Sequence, residues 1–70
     1  MNLTVNGKPR TIEAEASLSL LEYLQQLGIN PQIIAVEHNG EIIRREQYGA
    51  TQLREGDVLE IVRMVGGGSL

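Results

Sequence analysis

The sequence predicts an α+β domain in which one helix packs across a mixed sheet of four or five strands. Three observations point there. Apolar residues alternate with polar ones near both ends, at Leu3 and Val5 and again from Val58 to Met64. Between these ends the apolar spacing lengthens to a helical period around Leu18, Leu21 and Leu24. Asn-Gly pairs at 6–7 and 39–40 fall where strand-like runs must reverse. Period two, period three and a half and tight turns in this order describe a sheet with a helix on one face.

Asn2 to Val5 reads as a half-buried strand with Leu3 and Val5 on one face. Asn6-Gly7 follows as a two-residue hairpin turn, since both residues tolerate positive φ. Thr11 to Ala14 resumes the alternation through Ile12 and gives the second strand. The helix spans about 18–27, with Leu18, Leu21, Leu24 and Gly28 on one side and Leu20 and Leu27 widening the stripe. Ser17 can cap its start, and so can Ser19, which has capping-box spacing to Glu22. Gly28 suits the first position past the helix end, and Pro31 prevents continuation. Ile33 to Glu37 is a β-branched strand. After the Asn39-Gly40 turn come the short apolar pair Ile42-Ile43 and a polar stretch, Arg44 to Tyr48, that suits an irregular or single helical turn. Leu53 to Asp57 reads as a strand end and turn, and Val58 to Met64 as the last and strongest strand. Both the ubiquitin-like roll and cysteine-free relatives of ferredoxin folds have this element order. The roll places the first and last strands side by side.

Seventy residues make one domain, here 1–65, followed by a flexible glycine-rich tail, 66–70. A domain this short buries only about 60% of the surface its unfolded chain exposes. An enclosed active site would consume much of that core, so the chain suits a module handled by other proteins. No cysteine is present, which removes disulfides, thiolate metal sites and cysteine nucleophiles together. One histidine cannot assemble the usual metal ligand sets, and no acidic spacing matches a calcium loop. A net charge of −3 repels phosphate backbones, and Tyr23 and Tyr48 alone supply few stacking platforms, so nucleic acid is excluded as a partner. No apolar run reaches membrane-span length and no basic-then-apolar leader opens the chain, which makes the cytoplasm the expected location.

Side-chain chemistry offers little. His38 has no nearby Ser or Thr nucleophile in sequence and reads as a solvated or turn-capping residue. Asn6-Gly7-Lys8 lacks the upstream glycine and following hydroxyl of a phosphate loop. The glutamates are scattered without the cleft that acid–base pairs need. Arg44-Arg45-Glu46 reads as a charged turn or as a dock for an acidic patch.

The chain's end differs. Gly66-Gly67-Gly68 follows directly on the last strand. Glycine-rich ends serve as linkers. They also pass narrow channels, because a backbone without Cβ atoms is thin and adopts conformations closed to other residues. A terminal glycine carboxylate is unhindered and can attack the α-phosphate of ATP to form an acyl-adenylate.

Residues Asn39-Gly40-Glu41-Ile42-Ile43-Arg44-Arg45-Glu46-Gln47-Tyr48 and the closing run from Gly56 to Gly68 resemble the ThiS family of sulfur carriers in thiamine biosynthesis. The opening hairpin and Leu-rich helix fit the same pattern, so the resemblance spans all but the last two residues. It implies a ubiquitin-like β-grasp fold and a protein co-substrate rather than an enzyme. An E1-like adenylyltransferase, using ATP that the carrier itself does not bind, adenylates the terminal glycine. A sulfur donor such as a cysteine desulfurase then supplies the sulfur of a thiocarboxylate, which thiazole synthase takes up to build the thiazole ring. By position Gly68 carries the adenylate and then the sulfur, Gly67 completes the terminal pair, and Gly66 extends the neck. Molybdopterin and tRNA-thiolation carriers share this chemistry, and a non-catalytic β-grasp interaction module is the alternative from another class. Family chains usually end on the glycine pair, whereas Ser69 and Leu70 follow here. Removal of Ser69-Leu70 therefore belongs to the carrier reading, and an uncut tail to the interaction module.

A carrier needs an exposed, partly apolar surface beside its tail. Alternation in the last strand places Leu59 and Ile61 toward the helix and Val62 and Met64 on the partner side, continued by Val65. The competing expectation is that all of these residues build the core.

Overall fold

The computed structural model describes residues 1–13 and 17–64. Strand β1, Asn2–Val5, turns through Asn6 (φ 52°) and Gly7 (φ 80°) into β2, Lys8–Thr11, with Val5 opposite Lys8. Two successive positive φ angles match the right-handed twist of a hairpin, which is why Asn-Gly serves here. The turn also corrects the expected second strand. A two-residue loop pairs the very next residue, so β2 begins at Lys8 and ends at Thr11 rather than running over Thr11–Ala14 (Ala14 lies outside the described residues). Every β2 side chain is exposed. Lys8 and Pro9 on this outermost strand discourage further edge pairing.

The helix α1 spans Leu20–Gln26, shorter than the 18–27 expected, because the two residues before it pair as a strand. Leu18–Ser19 forms β3, antiparallel to β6, Gln52–Leu53. Ser19, still extended, is the N-cap. Its Oγ accepts from Glu22 N at 3.0 Å while its own N–H donates to Glu22 Oε1 at 2.9 Å. Leu20 N and Leu21 N donate to Thr51 O and Tyr48 O, so the first-turn donors that a helix leaves orphaned find partners in the 48–51 loop. Ser17 makes no cap. At the other end Gly28 (φ 72°) donates to Gln25 O and Ile29 N to Leu24 O, a Schellman closure. The buried stripe is Leu20, Tyr23 and Leu24. Leu21 is only half-buried and Leu27 is exposed, a rotation of the expected face that brings Tyr23 into the core.

A 3-10 turn over Pro31–Ile33 leads into β4, Ile34–His38, which pairs antiparallel with β5, Glu41–Ile43, across Asn39 (φ 53°) and Gly40 (φ 88°). Ile33 thus belongs to the turn and His38 to the strand, one residue later than the spacing suggested. A second 3-10 turn, Arg45–Gln47, precedes the buried Tyr48. The last strand, β7, is Val58–Arg63.

The main sheet has five strands in the order β2-β1-β7-β4-β5. The first and last strands lie side by side and parallel, with Thr4 opposite Val58 and Val5 opposite Leu59. This is the ubiquitin-like β-grasp arrangement, and it excludes the ferredoxin-type alternative. Leu3, Val5, Ile34, Val36 and Leu59 from the sheet close on Leu20, Tyr23 and Leu24 of the helix, with Leu18, Tyr48 and Leu53 filling one side. The core carries no buried polar side-chain atom lacking a hydrogen bond among the described residues.

Candidate functional site: the last strand and its neighbours

Strand β7 is the central rail of the sheet, bonded to β1 on one edge and β4 on the other. Its side chains divide by alternation. Leu59 is completely buried and Ile61 packs against the core, whereas Val62 and Met64 remain 57% and 47% exposed on the opposite face. Val62 and Met64 therefore stand where the alternation placed them, on the surface rather than in the core. Val65 and the glycines Gly66, Gly67 and Gly68 lie outside the described residues.

The exposed face of β7 continues across its neighbours. Ala35 on β4 is opposite Val62, and Ile42 on β5, at 76% the most exposed large apolar side chain among the described residues, is opposite Glu37. Ala35, Ile42 and Val62 line a shallow apolar depression of about 120 Å³ bordered by Glu37 and Glu60. Those two glutamates are direct cross-strand partners. Like charges placed opposite one another in a sheet repel. The face is thus apolar at its centre and anionic at its rim, a surface matched to an apolar partner patch edged with basic residues.

The two edges of β7 behave differently. Met64 N donates to Ile33 O and Asn39 N donates to Val58 O, both at 2.8 Å. Antiparallel bonds recur at every second residue, so the even-numbered residues of β7 bond to β4. Odd-numbered residues turn toward β1, where Asp57 O and Leu59 O accept from Thr4 N and Asn6 N at 2.9 Å. There the main chain of β1 leaves through its turn, and the Asn6 amide replaces it. Asn6 Oδ1 accepts from Ile61 N at 2.7 Å and Nδ2 donates to Ile61 O at 3.2 Å. The side chain imitates one further residue of strand, and the ladder stops.

On the helix side, β7 borders an open groove of about 800 Å³. Ile61 and Ile33 floor it, Leu27 walls it, and Arg10 and Arg63 bring it positive charge. Neither arginine has a salt-bridge partner among the described residues. Sequence reading missed this groove, since Arg10 and Arg63 are far apart along the chain and only the β1–β7 pairing brings them to one place.

Two further polar clusters hold the fold together, one at Asp57 and one at Arg45. Asp57 is buried at the turn into β7, with His38 Nε2 2.8 Å from its Oδ2. Asn39 Nδ2 and Arg54 N also donate to this carboxylate, at 3.1 and 2.8 Å. Burial pushes the Asp57 carboxyl up, but the bonds from His38, Asn39 and Arg54 outweigh it and hold the group below the usual carboxylate range. His38 is therefore only partly exposed and takes the turn-capping role, tying the end of β4 to the turn into β7. Arg45 Nε and Nη2 donate to Pro31 O and Gln32 O, which fixes the 3-10 turn before β4. Arg44 and Glu46 stay exposed. Among the described residues, no three His, Cys, Asp or Glu gather as a metal site, and no helix is long and apolar enough to cross a membrane.

The family model described as "ThiS family" matches residues 3–68, which takes in both the sheet and the glycine run. The chain belongs to the ThiS family. It is 36% identical over 66 residues to "Sulfur carrier protein ThiS" of Bacillus subtilis, covering 94% of this chain and 98% of that one. Its backbone superposes on the crystal structure of the thiamine biosynthesis protein ThiS from Geobacter metallireducens with a TM-score of 0.85 and 43% identity, over 97% of this chain and 100% of that one. Thiazole synthase of Magnetococcus marinus contains a segment 41% identical over 68 residues, covering 97% of this chain. The chain spans only a fifth of that protein's length, 20%.

Proposed function

We propose that this protein carries sulfur on the carbonyl of Gly68 for the thiazole ring of thiamine, acting as a co-substrate of other enzymes in the cytoplasm. The observation that supports this most is the family match through residue 68, which joins the glycine run to a strand with exposed apolar residues. Hydrolysis of the Gly68–Ser69 bond first frees the carboxylate, since an amide carbonyl offers no oxygen nucleophile for adenylation. In an E1-like adenylyltransferase the Gly68 carboxylate attacks the α-phosphorus of ATP and pyrophosphate leaves. A persulfide, relayed from a donor such as a cysteine desulfurase, then displaces AMP to give an acyl disulfide. A second thiol attacks the enzyme-side sulfur, and the S–S bond breaks with formation of a disulfide between the two thiols. The freed thiocarboxylate delivers its sulfur to thiazole synthase. Gly66 and Gly67 let the tail thread into both active sites. Val62, Met64 and Val65 form the surface that the two enzymes recognise in turn.

The domain's part in this cycle is presentation. A rigid sheet holds the start of the tail, and the tail does the reaching. The thiazole synthase among the relatives supports thiamine as the destination over molybdopterin or thiolated tRNA.

Intact mass of the native protein from its own host tests the reading. A chain ending at Gly68, with a fraction heavier by the sulfur-for-oxygen difference, is the expected result. A chain that retains Ser69-Leu70 and shows no sulfur form would overturn it in favour of a non-catalytic interaction module.

A further inference from the structure

From the way the ladder on β7 ends, we infer that thiazole synthase docks by adding an extended segment of its own to the open edge of β7 at Arg63, with an acidic side chain of that segment meeting Arg63 and Arg10. This deepens the carrier reading and rests on it. Three features of the fold combine. Asn6 satisfies both the N–H and the C=O of Ile61, so pairing on this edge is complete up to residue 61. Arg63 is the next odd-numbered residue, and by the alternation its N–H and C=O point to the same edge, where β1 has already turned away. Among the described residues nothing occupies that edge beyond Asn6. A sheet edge with a free donor and acceptor is a template for one more strand, and such added strands gain affinity from main-chain bonds and specificity from alternate side chains.

The surroundings specify the strand. The groove beside the edge has apolar side chains at Leu27, Ile33 and Ile61, and two cations without salt-bridge partners among the described residues, Arg10 and Arg63. The chain as a whole carries −3. A positive groove on a negative protein selects an occupant of the opposite pattern, an extended segment alternating apolar and acidic side chains. The position suits the function as well. A partner strand laid at Arg63 lies next to the residues from which the tail departs, and fixes the direction in which Gly66 to Gly68 enter the active site.

Two variants separate the N–H from the side chain. Arg63→Ala keeps the donor and loses the charge. Arg63→Pro loses both, yet leaves the bonds from β7 to β4 in place, because those involve even-numbered residues. Affinity for the host's thiazole synthase is expected to fall about tenfold further in Arg63→Pro than in Arg63→Ala, the effect of leaving one partner group unpaired. Only the loss shared by both variants should shrink with added salt. Hydrogen exchange at the Arg63 amide of the unaltered protein should slow in the complex, a readout that holds even where the proline variant fails to fold. Equal affinities for the two variants, or an Arg63 amide that exchanges as fast in the complex as outside it, would overturn the inference and leave the carrier reading standing. A protein ending at Gly68 that fails to bind the synthase at all would remove both.

Discussion

His38 and Asp57 sit 2.8 Å apart at one end of the sheet, joining the end of β4 to the turn that starts β7. Asn39 reinforces the joint from both sides. Its Nδ2 donates to Asp57, and its Oδ1 accepts from Val58 N at 2.9 Å. The cluster therefore fixes the entry of β7 relative to β4. Replacing Asp57 with Ala leaves donors from His38, Asn39 and Arg54 without their acceptor, so a stability loss of about 1–3 kcal/mol is expected at neutral pH. The carboxyl is held below its unfolded value. Its ionised form is then favoured by folding, and the gain is complete above the unfolded carboxylate range. It disappears as pH falls through that range, about 4, and on through the lower folded value. Urea titrations of the wild type and Asp57→Ala at descending pH should converge at the acid end. A gap that stays constant into that range would show that the charge is immaterial.

The capping box at the start of α1 gives a second, local prediction. Ser19→Ala removes the acceptor for Glu22 N, and an N-cap truncation of this kind costs about 1 kcal/mol. Glu22→Gln keeps a side-chain oxygen within reach of Ser19 N and should cost much less than Glu22→Ala. Thermal melts of the three variants check the ranking. Equal losses for Gln and Ala at position 22 would mean that the reciprocal bond contributes nothing.

These two clusters also mark how far the sequence could be read. Asn6-Gly7, Asn39-Gly40, Ser19 with Glu22, and Gly28 are local signals, each complete within a few residues, and all four appear in the structure as turns or caps. The sides of β7 were legible for the same reason, since alternation needs only the strand itself. The helix start was misplaced because Leu18 and Ser19 pair with Gln52 and Leu53, more than 30 residues away in sequence. Tyr23 and Tyr48 were weighed as stacking surfaces, yet both are core residues, and an aliphatic count gives them no place. The Asp57 cluster and the groove at Arg10 and Arg63 depend on which strands are neighbours, and no local pattern carries that information.

Glu37 and Glu60 supply a third prediction, in which stability and binding move in opposite directions. They face one another across β4 and β7 on the exposed side of the sheet. Relief of a directly opposed like-charge pair is worth a few tenths to about 1 kcal/mol, so Glu60→Gln should raise the denaturation midpoint. The same change removes part of the anionic rim around Ala35, Ile42 and Val62. Association with the adenylating enzyme should then slow at low salt and lose much of its salt dependence. A faster or unchanged association in Glu60→Gln would mean that this rim faces solvent in the complex.

On the carrier reading, the outward side chains of β7 are expected to separate partner recognition from folding. Leu59 is fully buried, and Leu59→Ala is expected to cost about 2–5 kcal/mol, enough to compromise so small a domain. Val62 and Met64 are about half exposed, and neither belongs to the core cluster. Changing both to Ser should leave stability within about 0.5 kcal/mol, the usual range for surface positions. The adenylation rate of a protein ending at Gly68 should nevertheless fall at least about tenfold at limiting enzyme, because apolar anchors at the centre of an interface carry most of its energy. Pyrophosphate release, followed alongside a urea titration of the same double variant, distinguishes the cases. A stable double variant that is adenylated at the wild-type rate would remove Val62 and Met64 from the recognition surface and leave Ile42 as its apolar centre.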